Sequence, residues 1–257
     1  MKKFVEKSFS LCDKDGYISL IHPCSWRKPF AKLFTEFRNR NVKYLEIHNQ
    51  KDGQKVFDAG TRYDWYILQN SQSEGKVIVK DENGVISEIN FSNFAYLPHG
   101  YLELFEKLFA KDEEERAEVL YSRSAYEIRK PHMSKEKTDK FCYPCAHATS
   151  KNGVMFLYSA KKEQFFGVKK VIFGKASPHN AFFDKNGDYG LTQHTFAIPV
   201  ENDLDGEMLL LFVKTENFRK IISATKFSGF ETEQSIFQSF RKDFWKEFVN
   251  EDGTEKE

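Results

Sequence analysis

Seven consecutive residues, Gly60-Thr61-Arg62-Tyr63-Asp64-Trp65-Tyr66, set aromatic rings beside a guanidinium. Arginine pairs with phosphate or with the edge of guanine, and aromatic rings stack on bases, so this run holds the chemistry of nucleic-acid contact. Strand alternation divides it. Thr61, Tyr63 and Trp65 fall on one face, Arg62, Asp64 and Tyr66 on the other, and one face should be core. Arg62 and Tyr63 are the expected DNA contacts. Upstream, His22-Pro23, Ser25 and Trp26 follow an apolar stretch, Tyr17–Ile21. Loops after the carboxyl ends of strands are where α/β sheets hold ligands. His22, Pro23 and Trp26 either line such a cleft or pack the strand-to-helix turn.

Further along the chain the chemistry is electrostatic. Arg123, Arg129, Lys130, His132, Lys135, Lys137 and Lys140 form the most basic stretch, and Lys161, Lys162, Lys169, Lys170 and Lys175 a second. Such residues neutralise phosphates without reading sequence. Base reading falls to side chains capable of bidentate contacts, and Arg123, Asn180 and Gln193 are the candidates. For any single lysine a solvated face is the commoner role.

Three other motifs fall short of a site. Cys142-Tyr143-Pro144-Cys145 with His147 offers one pair of thiols where a structural zinc commonly uses two, so no metal is expected. Gly174-Lys175 is followed by Ala176, where a phosphate loop requires Ser or Thr. Asp184-Lys185-Asn186-Gly187-Asp188 resembles a calcium loop, but the glycine at 190 comes late and Thr195 replaces the closing glutamate.

Composition bounds the rest. The 257 residues carry a formal charge of +1, which argues against a protein that holds DNA by bulk charge alone. Hydrophobic residues at 40% suffice for a core. No stretch approaches the roughly 20 apolar residues of a membrane helix, no signal peptide is evident, and four cysteines do not make a disulfide framework. The expectation is a soluble, cytoplasmic protein with no membrane partner.

These residues need elements to hold them. Periodicity and turn residues predict a short helix over residues 4–11, a turn at 13–16 with Gly16 in the permissive conformation, and a buried strand at 17–21. They predict a helix over 29–40, a strand at 42–47, and strands at 55–58 and 61–68 around a glycine turn. The polar run Gln69–Gly75 reads as a domain boundary. Beyond it come a hairpin (76–79 with 85–89), helices at 101–109 and 113–120, and strands at 141–149, 154–158, 170–173, 182–184 and 195–200. Helices at 204–213, 216–224 and 234–249 follow, then a charged, frayed tail.

The order of strand, His-Pro loop, helix, strand and the Gly-Thr-Arg-Tyr-Asp-Trp-Tyr segment resembles the second half of the catalytic domain of type II restriction–modification N6-adenine DNA methyltransferases. Tyr121-Ser122-Arg123-Ser124-Ala125-Tyr126, Tyr143-Pro144-Cys145-Ala146-His147, Lys170-Val171-Ile172-Phe173-Gly174, Asp184–Gln193 and Lys242–Phe248 extend the likeness through the target-recognition part. The resemblance implies an α/β fold: a partial Rossmann-like methyltransferase sheet over residues 1–72, an α+β target-recognition domain over 73–250, and a tail over 251–257. It implies that His22, Pro23 and Trp26 lie on the target-base side of the cleft. Arg62, Tyr63, Arg123, Arg129, Lys130, Lys169, Lys170, Asn180 and Gln193 would face double-stranded DNA.

The family's glycine loop for S-adenosylmethionine and its Asn-Pro-Pro-Tyr motif do not occur in this sequence. No catalytic or cofactor-binding residue is therefore assigned. S-adenosylmethionine is expected only in complex with a partner chain carrying the cofactor-binding half. Two other readings compete: a non-catalytic DNA-binding specificity protein, and a component of a restriction nuclease.

Overall fold

The computed structural model describes residues 2–227 and 231–256, and the chain forms two units, Met1–Phe109 and Ala110–Glu257. The first contains α1 (Lys2–Leu11), β1 (Tyr17–Pro23), a 3-10 turn at Cys24–Arg27, α2 (Lys32–Phe37), β2 (Arg40–His48) and α3 (Gln50–Phe57). It continues with β3 (Tyr63–Gln72), β4 (Lys76–Lys80), β5 (Ile86–Asn90) and α4 (Leu102–Leu108). One sheet joins the strands in the order β1-β3-β2-β4-β5. β3 is inserted between β1 and β2 and runs antiparallel to both, so β1 and β2 are parallel to each other without touching. β2 pairs with β4 in parallel, and β4 with β5 antiparallel.

The period-2 pattern decides what this sheet buries. Ile18, Val42, Leu45, Ile47, Tyr66, Leu68, Val77, Val79 and Ile89 are all buried. Trp26 packs at 4.8 Å from Phe37 and 5.6 Å from Tyr66, and Phe34 meets Phe91 at 5.6 Å. β1 alternates instead of being buried throughout: Ile18 and His22 point inward, while Tyr17 and Ile21 are 65% and 53% exposed on the sheet's edge strand.

Several sequence expectations change here. Residues 55–58 are not a strand but the end of α3, whose start Asn49 caps by accepting from the Lys51 and Asp52 amides. The helix stops where Asp58 turns left-handed (φ 52°). The exposed pair Val56-Phe57 imitates a strand only in composition. The helix expected over 29–40 shrinks to α2, because Phe30 takes a positive φ of 60° and Arg40 already belongs to β2. In the 13–16 turn it is Asp15, not Gly16, that adopts positive φ. Gly16 is needed for space, since a Cβ there would lie 2.8 Å from Cys12 Sγ. A boundary at 72/73 would cut one sheet in two; the units divide at 109/110. The mixed α/β character holds, with antiparallel pairs outnumbering the parallel pair that a Rossmann-like sheet would repeat.

The second unit contains β6 (Met133–Ser134), β7 (Tyr143–Ser150), β8 (Gly153–Ser159), β9 (Lys170–Gly174), β10 (Phe182–Asp184), β11 (Gly190–Leu191), β12 (Thr195–Pro199), α5 (Asp203–Lys214) and α6 (Glu216–Ala224). Its sheets run β11-β7-β8-β6 and β10-β9-β12. Asn202 and Thr215 cap α5 and α6 through the Asp205 and Phe218 amides. Phenylalanines fill much of this unit's core. Phe173 stacks on Phe196 at 5.1 Å, and Phe212, Phe218, Phe237, Phe240 and Phe244 continue the ring-on-ring core.

The helix expected at 113–120 is instead the end of a turn, closed by Glu114 N donating to Lys111 O, and then a non-helical stretch fixed by bridges Arg116↔Arg241 and Leu120↔Ala197. The helix expected at 234–249 is two 3-10 turns, Gln234–Ser239 and Phe244–Glu247, separated by Asp243 at φ 57°. The tail folds back, with Lys256 N donating to Phe248 O. Among the described residues no helix is long and apolar enough to cross a membrane.

Candidate nucleic-acid interface

In the first unit the expected contacts are turned inward or already engaged. His22 is buried, its Nδ1 2.7 Å from the Tyr66 hydroxyl, and burial holds its pKa below the usual 6.5. Pro23 ends β1 in the open. Trp26 is core: its Nε1 donates to Asp64 Oδ2 at 2.7 Å and its ring packs among Phe34, Phe37 and Tyr66. The packing role, not the cleft, describes Trp26 and His22. Arg62 is largely covered and meets Glu82 at 3.1 Å, so its charge is not held out for phosphate. Tyr63 is buried as well, stacked on His48 with ring centres 4.4 Å apart and met edge-on by Phe57.

Sequence reading missed the strongest polar feature of this unit. Arg27 and Asp64 are fully buried. Arg27 Nε and a terminal nitrogen donate to the two Asp64 oxygens at 2.7 and 2.9 Å. The other terminal nitrogen donates to the Leu97 and Pro98 carbonyls, while His99 Nδ1 lies 3.1 Å from the terminal nitrogen that bonds Asp64. A buried pair survives only when its remaining hydrogen-bonding capacity is met, as it is here. Its members lie 37 positions apart, and no local pattern signals the pairing. It ties the turn after β1, the central strand β3 and the segment before α4 into one piece.

The second unit presents its charge outward. Arg123, Arg129, Lys135, Lys137, Lys140, Lys161 and Lys162 are exposed, and Lys130 is half-buried. Lys161 lies 3.6 Å from Glu163. Among the described residues, Arg123, Arg129, Lys130, Lys135 and Lys137 form no ion pair. The topology gathers most of them. Met133 pairs with Ser159, and Tyr143 pairs with the same Ser159. Residues 129–142 and 160–166 therefore leave one end of the sheet together. Lys140 and Lys162 lie over the Phe141 and Phe166 rings at 5.3 and 5.9 Å, a mixture of cation and aromatic surface suited to a polyanion.

Two lysines do not belong to that surface. Lys170 is fully buried, donating to Asp184 Oδ2 at 2.6 Å and to Val168 O; burial pushes its pKa down while Asp184 pulls it back up. A charge so enclosed cannot meet a phosphate. Lys169 is paired with Asp203. Asn180 closes a 3-10 turn and is half-buried.

Gln193 lies in a group that sequence spacing alone did not assemble. His147 on β7 and Thr192 are joined at 3.0 Å, and the His147 and His194 rings meet edge to face at 5.0 Å. Lys175 N donates to His194 O, and Lys175 Nζ lies 5.1 Å over the Tyr121 ring. Burial, with His194 alongside, lowers the pKa of His147.

The cysteines are free; Cys145 is buried and its thiol pushed up to about 12. Among the described residues no group of three or more His, Cys, Asp or Glu is arranged to hold a metal.

No family model matches the chain, and no curated protein matches it in sequence. In shape, 28 solved chains match. One is the crystal structure of the type IIG restriction endonuclease BpuSI, at 9% identity and a TM-score of 0.32, covering 92% of this chain and 41% of that one. The chain thus spans less than half the length of that endonuclease, and a superposition this loose carries no argument about function.

Proposed function

We propose that the chain is the DNA-recognition portion of an N6-adenine DNA methyltransferase of a restriction–modification system, acting with a partner chain that binds S-adenosylmethionine and holds the target base. One observation carries this reading: the set of outward, unpaired cations on Arg123, Arg129, Lys130, Lys135 and Lys137. A protein of net charge +1 that leaves these five cations out of ion pairs in one segment, although Glu127, Glu136 and Asp139 lie in the same stretch, offers them to a polyanion. The sequence likeness to the methyltransferase family supplies the reaction class.

In this reading the second unit grips the duplex backbone and reads bases with Arg123, Asn180 and Gln193. The first unit's role is scaffolding, since His22, Trp26 and Tyr63 are built into its interior. The residues that bind S-adenosylmethionine in the resembled family do not occur in this sequence, so no step of methyl transfer is assigned to this chain.

The test is methyl transfer from labelled S-adenosylmethionine to duplex DNA, with the chain alone and mixed with the product of its upstream gene. Activity only in the mixture supports the reading. Activity from the chain alone, or DNA binding absent from both samples, overturns it.

A further inference from the structure

Glu231 reaches Lys175 and His194 with its two carboxylate oxygens. Oε1 lies 3.4 Å from His194 Nδ1, and Oε2 lies 3.5 Å from Lys175 Nζ. Strong charge-assisted hydrogen bonds are shorter, about 2.7–2.9 Å, so this carboxylate occupies its seat loosely. It is also 48% exposed, and ion pairs open to water contribute little. The seat itself is firm. Lys175 follows β9, its amide bonded to His194 O, and its side chain lies over Tyr121 at only 13% exposure. His194 precedes β12 and packs against His147, which is fixed in turn through Thr192. Thr192 N and Thr195 Oγ1 both donate to Ala146 O, locking the loop to β7. A rigid seat lined by the Lys175 ammonium and two imidazole rings, under a weakly held carboxylate, is the arrangement of an anion site carrying a stand-in.

Beside it, the Gln193 Oε1 atom is buried with no hydrogen-bond partner. An amide oxygen without a partner gives up no hydrogen bond when the side chain turns outward, so Gln193 can swing to a base edge without a loss at that atom.

We propose that Lys175, His194 and His147 form a phosphate site for the DNA backbone, and that Glu231 fills it in the free protein. Entering DNA displaces Glu231, which places Gln193 beside a held phosphate and ready to read the adjacent base. This inference rests on the DNA-recognition reading above and names a backbone anchor outside the basic 123–140 segment.

The test titrates the full chain with inorganic phosphate while following the imidazole signals of His147 and His194 by NMR, in the native protein, E231Q, and E231Q with K175Q. E231Q is expected to show saturable shifts of both rings at an affinity about fivefold above native, and the double variant to lose them. In parallel, duplex DNA binding is measured by anisotropy across a salt series. E231Q should bind about fivefold tighter with its log–log salt slope unchanged, and K175Q should lower that slope by about 0.9. Absence of saturable shifts in E231Q overturns the site, whatever the DNA result. Phosphate binding in E231Q, with duplex affinity untouched by E231Q and K175Q, overturns DNA as its ligand. Phosphate binding with no duplex binding by any variant keeps the anion site and removes the DNA-recognition reading.

Discussion

Replacing Asp64 by Ala should cost the first unit about 4 kcal/mol of folding stability. The carboxylate is fully buried and accepts three hydrogen bonds, two from Arg27 at 2.7 and 2.9 Å and one from the Trp26 indole at 2.7 Å. Removing it takes the counter-charge from an Arg27 guanidinium enclosed at zero exposure, which keeps its bonds to the Leu97 and Pro98 carbonyls and its contact with His99. Breaking a buried pair from one side costs about 3–5 kcal/mol, and the orphaned indole adds about 1 kcal/mol or more. Typical domains have about 5–15 kcal/mol in total, so the variant should lose most of its margin. The paired replacement Arg27→Met with Asp64→Leu should recover most of the loss, because it removes both desolvation penalties at once. Urea unfolding of the native chain, both single variants and the double variant, followed by circular dichroism, gives the cycle. A loss below about 1 kcal/mol for Asp64→Ala, with no coupling to Arg27, would refute the reasoning: it would mean the guanidinium finds water or another partner and the pair is not structural.

Lys170→Ala should destabilise the second unit by about 3 kcal/mol, because Asp184 is left buried and uncompensated, while the salt slope of DNA binding stays unchanged; a changed slope would return Lys170 to the DNA surface. Arg129→Ala and Lys130→Ala should each weaken binding to every duplex sequence about equally and lower the log–log salt slope by about 0.9, with thermal stability unaltered. Stability should fall as the pH drops below the ordinary imidazole value of 6.5. Burial depresses the pKa of His22 and His147, so the unfolded chain takes up protons there first and folding loses free energy until the native values are reached. Urea midpoints measured from pH 7.5 down to about 5 test this, and His22→Gln should flatten the first unit's share.

Local chemistry made some of this legible. Thr215 ahead of an amphipathic run fixes α6 to the residue, and Lys151-Asn152-Gly153 marks the turn between β7 and β8. The aromatic run at 63–66 was legible as a strand, and alternation foresaw that one face would be core. Two things were not legible. The spacing of Ile236, Phe237, Phe240, Phe244 and Phe248 fits a helical stripe, yet the same residues are buried by two 3-10 turns hinged at Asp243, since burial needs the spacing and not the hydrogen bonds. Charge, too, has no local signature of its partner. Lys170 sits among lysines in the sequence and beside Asp184 in the fold, and Arg62 among aromatics beside Glu82. Residue type gives the charge or ring at each of these positions, and the fold alone decides whether it is exposed or already partnered.

The place of β3 in its sheet has a consequence for the order of synthesis. β1 and β2 do not pair with each other; each pairs with strands that come later in the chain, and Tyr17 waits for Gln69, 52 positions further on. A nascent chain that has emerged as far as residue 60 has two strands and nothing to zip them together. Closing that span carries the entropy of a long loop before any ladder bond rewards it, and it is the longest-range pairing in this sheet. Release of residues 63–72 from the ribosome is thus the event that converts an open, aggregation-prone segment into a sheet, and a pause in translation just before it would leave Tyr17–Pro23 exposed to neighbouring chains.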